Sequence, residues 1–254
     1  MMTDEALLEL AAGLALRAAD VILAIRARGF AVSRKADRSV VTEADHAAEA
    51  VLVAGLREAA PEIPIIAEEA IAGGADSAVA PVFWLVDPLD GTREFAGGSD
   101  DFAVNIGLVR DGSIVLGVVG VPATGEVFGG IVGRGAWKRQ AGVEVPVRAR
   151  AVPPEGLTVL ASRYHGDADE MKSFLAGRAV AKTVNFGSSL KFCRLAEGLA
   201  DLYPRFGRTM EWDTAAPQAV LEAAGGTVRT MDGAPLRYGK PGWENPHFVC
   251  TGLL

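Results

Sequence analysis

The stretch that most constrains the fold is a short apolar run, residues 83–86, that leads directly into two aspartates, Asp87 and Asp90. Aromatic and β-branched residues in such a run predict a buried strand. Gly91 permits a tight turn after the strand, and Thr92 is placed to begin a helix whose amide groups suit an anion. The same residues are typical of a surface turn, because Asp, Pro and Gly are the commonest turn formers. The segment therefore either delivers two carboxylates to one site or only reverses the chain.

The composition limits the classes of protein to which this chain can belong. Of its 254 residues, 50% are hydrophobic and 22% are charged, which is enough for one large globular domain or two small ones. The net charge of −7 and the lack of a Lys/Arg cluster argue against nucleic acid as a partner. A small anionic substrate remains compatible with this charge if metal ions supply the positive charge.

Cysteine content and the N-terminal residues indicate the compartment. Cys193 and Cys250 both lie in apolar segments, which predicts buried free thiols in a reducing compartment. The first residues are acidic and lack the basic region of a signal peptide, and no apolar run is long enough to span a membrane. We therefore expect a cytoplasmic protein without an integral membrane segment.

Hydrophobic periodicity predicts the elements of the first half of the chain. A long amphipathic helix ends near Gly29, and a polar loop covers residues 33–39. Thr42 and Asp45 are spaced as a capping box at the start of a second helix. Residues 102–138 alternate between apolar runs and glycine-containing turns, which predicts an antiparallel sheet of hairpins.

A Pro- and Arg-rich segment near Val152 marks a soft domain boundary, beyond which strands and helices alternate. We expect a helix after Ser189 whose apolar face includes Leu199. Another helix is predicted to begin at Asp213, with Pro217 in or near its first turn, where a missing N–H does least harm.

Four acidic residues share one property, since each lies where a predicted strand ends or a helix begins. They are Glu68, Asp87, Asp90 and Asp213. Such edges converge in layered α/β folds, and converging carboxylates raise one another's pKa unless cations lie between them. Oxygen ligands at this density favour Mg²⁺. Glu68 and its neighbour Glu69 have an alternative interpretation as a solvated pair of acids.

Other site chemistries have less support in the sequence. The three histidines, His46, His165 and His247, are scattered, and no cluster of His and Cys residues indicates zinc. A Ser-His-Asp hydrolase is not favoured either, because no Gly-x-Ser-x-Gly turn is present.

Three motifs together resemble the inositol monophosphatase superfamily of Mg²⁺-dependent, lithium-sensitive phosphatases. They are AEE at 67–69, WLVDPLDGTREF at 84–95 and EWDTAA at 211–216. Two further segments, FGSSLKFC at 186–193 and LYPRFG at 202–207, are most similar to the CysQ-type 3′(2′),5′-bisphosphate nucleotidases of that superfamily. Pro217 departs from the family pattern, in which a smaller residue such as Gly is expected at this position.

The resemblance implies a layered αβαβα sandwich. Residues 1–152 would form an α+β half with most metal ligands, and residues 153–254 an α/β half that supplies Asp213 and the specificity segments. The implied ligands of about two or three Mg²⁺ ions are Glu68, Asp87, Asp90, Asp213 and the carbonyl oxygen of Leu89. The implied catalytic residues are Asp45, Thr92 and Glu68. The implied substrate-binding residues are Gly91, Thr92, Asp213, Ser188, Lys191 and Arg205.

Several further roles follow from the resemblance, each with an alternative. Lys35 and Asp37 resemble a mobile loop of the family that orders a further metal ion. Lys191 and Arg205 are candidates for binding a second phosphate, although an ordinary surface charge is the slightly favoured alternative for each. Two aromatic residues are candidates for stacking on a base or for the hydrophobic core. They are Tyr203 and Trp243.

The implied reaction is Mg²⁺-dependent hydrolysis of the 3′-phosphate of adenosine 3′,5′-bisphosphate, a byproduct of sulfate-donor chemistry, to AMP and phosphate. The sulfated form of this nucleotide is a further candidate substrate. Alternatives are an inositol phosphate or a sugar bisphosphate as substrate, or a catalytically silent binding protein on the same scaffold. We expect a monomer or homodimer, and peripheral attachment to the inner face of the cell membrane is left open.

Overall fold

The structure is a computed structural model that describes residues 2–35, 39–75, 79–162 and 168–253. Asp37, which the sequence suggests as part of a further metal site, lies outside the described residues. Helices in the described ranges are α1 (Asp4–Arg28), α2 (Glu43–Ala59), α3 (Glu68–Ala72), α4 (Thr92–Ala96), α5 (Ala168–Leu175), α6 (Leu190–Ala196) and α7 (Glu211–Ala223).

Strands of the first half are β1 (Val32–Arg34), β2 (Val40–Thr42), β3 (Ile65–Ala67), β4 (Val82–Asp90), β5 (Ala103–Arg110), β6 (Ser113–Val121), β7 (Glu126–Ile131), β8 (Gly135–Gln140) and β9 (Val143–Val147). Strands of the second half are β10 (Leu157–Ser162), β11 (Val180–Phe186), β12 (Leu202–Arg205), β13 (Thr227–Thr230) and β14 (Phe248–Thr251).

The strands form two main sheets. A seven-stranded sheet has the order β3-β4-β5-β6-β7-β8-β9, in which β3 and β4 are parallel and the other neighbours are antiparallel. A five-stranded sheet has the order β11-β10-β12-β14-β13 and is mixed. The predicted hairpins between residues 102 and 138 are therefore confirmed, whereas β9 extends the sheet beyond the prediction.

The helices and sheets stack in five layers. Helices α1 and α2 cover one face of the seven-stranded sheet, and α6 and α7 lie between the two sheets. Helix α5 covers the outer face of the five-stranded sheet through Met171 and Phe174, which pack against the cluster of Leu157, Val159 and Leu202. The expected αβαβα sandwich is confirmed.

Helix α7 lies very close to the seven-stranded sheet because glycines face it. A Cβ atom at Gly117 would lie 2.3 Å from the carbonyl oxygen of Ala216, and one at Gly107 would lie 2.8 Å from the amide nitrogen of the same residue. Only glycine permits this approach. Because Asp213 lies near the start of α7, the close packing carries its carboxylate to the edge of the first sheet.

Three local predictions need correction. Strand β1, which pairs with β2, overlaps the start of the polar loop predicted at 33–39. Helix α6 ends at Ala196, so Leu199 lies beyond it and is 57% exposed instead of packing on the helix. Helix α7 begins before Asp213, so Pro217 lies in its interior instead of its first turn. The missing N–H of Pro217 removes the bond to the carbonyl of Asp213, four residues earlier.

Three further expectations concern the cysteines, the domain boundary and membrane-spanning segments. Cys193 and Cys250 are buried and form no disulfide, as expected. One hydrophobic cluster combines Phe83 of the first half with Trp212 and Phe248 of the second, and the boundary near Val152 stays a prediction. In the described ranges, every helix is too short or too polar to cross a membrane.

Candidate active site

A cleft of about 240 Å³ opens where strand β4 ends and helices α4, α6 and α7 begin. It brings together residues that are far apart in sequence. The predicted metal ligands that line it are Glu68, Asp87, Leu89, Asp90 and Asp213. The predicted substrate-binding residues that line it are Gly91, Thr92, Ser188, Lys191, Arg205 and Asp213. The convergence expected from the sequence is therefore present in the fold.

The end of β4 turns its two aspartates towards the cleft. Asp87 pairs with Asn105 of β5, but the register is irregular between Asp87 and Asp90. Pro88 lies in this irregular segment and has no N–H for the ladder. The amide of Leu89 donates to Asp87 Oδ1 at 3.0 Å, which holds that carboxylate at the turn.

Gly91 completes the turn from β4 into α4. Its φ of 91° lies in the left-handed region, and a Cβ atom there would lie 2.9 Å from the carbonyl oxygen of Asp101. Both constraints require glycine at this position. Thr92 consequently begins α4 with its hydroxyl beside the carboxylates, as the sequence predicts.

Asp45 connects the start of helix α2 to the cleft. Its Oδ2 accepts from the Thr42 amide at 2.8 Å and from the Thr42 hydroxyl at 2.7 Å, so the predicted capping box is confirmed. Its Oδ1 accepts from Thr92 Oγ1 at 2.8 Å. Asp45 is buried, and the two functions use different oxygens of the same carboxylate.

Glu68 and Glu69 begin helix α3 and share one cation. Lys35 Nζ donates to Glu68 Oε1 and to Glu69 Oε1, each at 2.6 Å. The Glu69 side chain is 4% exposed, and its amide donates to Glu49 Oε2 at 2.8 Å. The alternative of a solvated acidic pair is therefore wrong for Glu69. Burial alone would lower the pKa of Lys35, but the two carboxylates raise it above its usual value.

Asp213 is held at the start of α7 by its own helix and by a loop. Its Oδ2 accepts from the Met210 amide at 2.9 Å. Asn245 Nδ2 donates to the Met210 carbonyl at 2.7 Å, and the buried Glu211 accepts from Lys240 Nζ at 2.6 Å. The loop that contains Lys240 and Asn245 therefore fixes the segment that presents Asp213.

The segment before α6 supplies the opposite wall of the cleft. The Ser189 amide donates to Asp90 Oδ2. Lys191 is buried, and its Nζ donates to the carbonyls of Phe186 at 3.2 Å and Ser188 at 2.5 Å. Burial lowers the pKa of Lys191 to about 8. The alternative of an ordinary surface charge is wrong for Lys191, and also for Arg205, which is 7% exposed.

The carboxylates of the cleft repel one another electrostatically. Burial, reinforced by Asp90 and Glu68, raises the pKa of Asp213 to about 8. Burial and the same kind of repulsion raise the pKa of Asp87 well above its usual value. Burial also raises the pKa of Asp90, against the lowering effect of Lys191 and Ser189. The cluster therefore binds either protons or cations from solution.

The donor set suits a hard divalent ion, because every side-chain donor in it is a carboxylate oxygen. Among the described residues, however, no three side chains of His, Cys, Asp or Glu are already gathered closely enough to hold an ion. The carboxylates repel one another, and Glu68 is held in an ion pair with Lys35. The oxygen chemistry of these residues fits a Mg²⁺ site.

Some residues of the site are not apparent from the sequence alone. Arg93 and Arg208 line the cleft at exposed positions and add positive charge near its opening. Asn105 lies fully buried below Asp87, and only its polarity within an apolar strand distinguishes it. Trp243 is a core residue packed against Phe83, as its structural alternative predicts.

The chain is similar in sequence to one protein family and to named members of it. The sequence profile of the inositol monophosphatase family matches residues 3–248. The chain is 43% identical over 238 residues to the 3′(2′),5′-bisphosphate nucleotidase CysQ of Escherichia coli O157:H7, covering 92% of this chain and 95% of that protein. It is 41% identical over 248 residues to the protein of the same name from Salmonella typhimurium, covering 96% and 99% of the two chains.

Solved structures agree with these sequence relationships. CysQ from Bacteroides thetaiotaomicron superimposes with a TM-score of 0.81 at 34% identity and covers 98% of each chain. An inositol monophosphatase from Zymomonas mobilis superimposes with a TM-score of 0.81 at 28% identity, covering 100% of this chain and 95% of that one.

Proposed function

The chain belongs to the inositol monophosphatase family, and from that premise we propose that it is a Mg²⁺-dependent phosphomonoesterase that removes the 3′-phosphate of adenosine 3′,5′-bisphosphate. Relatives named 3′(2′),5′-bisphosphate nucleotidase over nearly the full chain support this enzyme class. The observation that carries the proposal is the cleft itself, in which a carboxylate cluster adjoins the Thr92–Asp45 hydrogen bond.

The proposed metal ligands are the carboxylates of Glu68, Asp87, Asp90 and Asp213 with the carbonyl oxygen of Leu89. When bound, Mg²⁺ would supply the acidity that makes water a nucleophile near neutral pH and would offset the charge on the phosphate. The chain contributes by holding the carboxylates on rigid element ends. Each of Asp87, Asp90 and Asp213 accepts from a backbone amide, which limits the directions its carboxylate can take.

Thr92 and Asp45 form the proposed path for the proton of the attacking water. Thr92 can accept that proton only if it gives its own hydroxyl proton to another group. That hydroxyl already donates to Asp45 Oδ1 at 2.8 Å. The other oxygen of Asp45 is fixed by two donors from Thr42, so the carboxylate cannot turn away. The negative charge of Asp45 is thus directed at the hydroxyl that must give up a proton.

The proposed contacts for the two phosphates lie on different walls. The backbone amides of Gly91 and Thr92, with Asp213 nearby, would adjoin the phosphate that is cleaved. Lys191 and Arg205, with Ser188, would contact the second phosphate. Lys191 has three N–H donors and gives two to backbone carbonyls, which leaves one for a ligand. Arg205 offers a planar fork that matches a phosphate.

The test is phosphate release from adenosine 3′,5′-bisphosphate with and without Mg²⁺. The sulfated nucleotide, inositol monophosphate and a sugar bisphosphate are compared as substrates, and Li⁺ is added as an inhibitor. We expect the nucleotide bisphosphate to give the highest kcat/KM, with no turnover when Mg²⁺ is removed. Faster hydrolysis of inositol monophosphate would contradict the substrate, and an inert protein at saturating Mg²⁺ would favour a binding role.

A further inference from the structure

A buried amide lies in the sheet directly below the cleft. Asn105, within the otherwise apolar core of β5, is 0% exposed and stands opposite Asp87 of β4. Its Oδ1 accepts from Ser189 Oγ at 2.9 Å, while its Nδ2 has no hydrogen-bond partner among the described residues. A buried donor without a partner costs about 1–3 kcal/mol. Asparagine is therefore a costly choice for packing alone at this position.

Ser189 joins this amide to a predicted metal ligand. Ser189 is 4% exposed, and its hydroxyl bonds to Asn105 while its backbone N–H donates to Asp90 Oδ2. The two bonds connect β5 of the first sheet with the residue that precedes α6. Asp90 lies at the junction, and Asp87 lies across the ladder from Asn105. Asn105 and Ser189 together therefore adjoin both carboxylates, Asn105 beside Asp87 and Ser189 beside Asp90.

A half-turn of the Asn105 amide exchanges its donor and its acceptor. Nδ2 would then donate to Ser189 Oγ, and the hydroxyl proton of Ser189 would become available to Asp90. Ser189 would hold Asp90 with two donors, its amide and its hydroxyl, and the buried Nδ2 would gain a partner while Oδ1 lost its own. Both amide orientations leave Ser189 fixed by Asn105 on one side and by Asp90 on the other.

We propose that Asn105 and Ser189 are positioning residues that fix Asp90 relative to Asp87 for the binding of a divalent ion. They act through the carboxylates and not on the reacting atoms. The inference rests on the divalent-ion site of the proposed function. Outer partners of metal ligands typically change metal affinity or activity by about 10–100-fold when they are removed.

The test is a calorimetric titration of Mg²⁺ into the protein without substrate. We expect Ser189→Ala to weaken Mg²⁺ binding about 10-fold and Ser189→Thr, which keeps the hydroxyl, to remain within about 3-fold of wild type. At a Mg²⁺ concentration near the wild-type Kd, kcat should follow the same order while KM for the nucleotide changes little. Asn105→Ala combined with Ser189→Ala should weaken binding no further than Ser189→Ala alone, because the two residues act as one unit.

Thr251→Val is the matched control, because Thr251 is also buried and its hydroxyl bonds to Thr227 at 2.9 Å. This variant should bind Mg²⁺ as wild type does. If Asn105→Ala does not fold, the pair of Ser189 variants decides the question. Wild-type affinity in Ser189→Ala, or equal loss in Ser189→Thr, would overturn the inference. A wild-type protein that binds no Mg²⁺ would contradict the proposed function itself.

Discussion

Two clusters of acidic side chains in this molecule are buried or nearly so, and they are neutralised differently. Between β7, β8 and α6, Glu126 and Glu197 meet two cations of the chain. Arg194 lies 3.0 Å from Glu126, and Lys138 lies 3.1 Å from Glu126 and 2.8 Å from Glu197. In the cleft, by contrast, Asp87, Asp90 and Asp213 have no ion pair within 4.0 Å among the described residues, and only Glu68 has one.

The pKa values differ in the same sense. Burial alone would raise the pKa of Glu126, but the stronger opposing effect of Arg194 and Lys138 lowers it to about 2. In the cleft, burial and neighbouring carboxylates raise the pKa of Asp213 to about 8. A structural cluster carries its own cations, whereas the cleft is left to take cations from solution. This contrast predicts opposite effects of mutation in the two clusters.

The largest effect is expected for Asp90→Asn. The change removes a proposed metal ligand, so turnover should fall by more than about 100-fold, beyond the usual effect of losing an outer partner. Stability without Mg²⁺ should stay equal or rise, because the repulsion among the carboxylates is relieved while the amide of Ser189 keeps an acceptor. Steady-state rates and thermal unfolding in a chelator measure the two effects.

Asp100→Asn provides the control for charge alone, because Asp100 is 70% exposed and pairs with Arg26 outside the cleft. It should leave turnover unchanged. Near-normal activity of Asp90→Asn would show that this carboxylate is not a ligand.

Asp45→Ala should combine the two kinds of loss. The rate should fall by about 10²–10⁴-fold because Thr92 loses its proton acceptor. The free energy of unfolding should fall by about 1 kcal/mol because helix α2 loses the Asp45 half of its capping box. Thr92→Val separates these effects, since it removes the hydroxyl and leaves the cap, and it should lose rate alone. Unchanged stability in Asp45→Ala would discard the capping part of the account.

Glu126→Gln should show the reverse pattern of Asp90→Asn. It leaves Arg194 and Lys138 with Glu197 as their remaining acidic partner, which should cost on the order of 2 kcal/mol of stability, with turnover within a few-fold of wild type. Glu144→Gln is the control, because the Glu144 side chain is 50% exposed in its pair with Arg139 and should contribute little. A loss of turnover larger than the loss of stability would contradict the separation of the two clusters.

The pH dependence of stability sharpens the same comparison. Because the folded pKa of Glu126 lies below its ordinary value of 4.5, its contribution is fully present above pH 4.5 and is lost as pH falls towards about 2. Wild-type protein should therefore lose more stability across this window than Glu126→Gln does. Denaturant unfolding between pH 5 and pH 2 measures the difference, and parallel curves for the two proteins would contradict it.

The placement of the carboxylates at the ends of strands and the starts of helices could be predicted from the sequence because it depends on local signals. Asp87 and Asp90 follow a continuous apolar strand, and Asp213 lies at the start of a periodic helix. The capping box at Asp45 is also local, since its partners lie three residues apart. Such features need no knowledge of which elements become neighbours.

What the sequence does not predict depends on contacts between distant segments. Lys35 reaches Glu68 and Glu69 across more than thirty positions, and no periodicity marks that pairing. Lys191 resembles a surface charge until the fold buries it beside backbone carbonyls. Asn105 is linked to the site only because the fold places Ser189, from the second half of the chain, within hydrogen-bond distance of it.

A calorimetric titration of Mg²⁺ into the wild-type protein and Asp213→Asn tests most directly whether the cleft carboxylates take up a divalent ion from solution. We expect saturable binding by the wild type, accompanied by about 2.7 kcal/mol of added stability at a Mg²⁺ concentration of 100 times Kd, and markedly weaker binding by Asp213→Asn. Glu126→Gln should bind as the wild type does. No binding by the wild type, or equal binding by Asp213→Asn, would contradict the account.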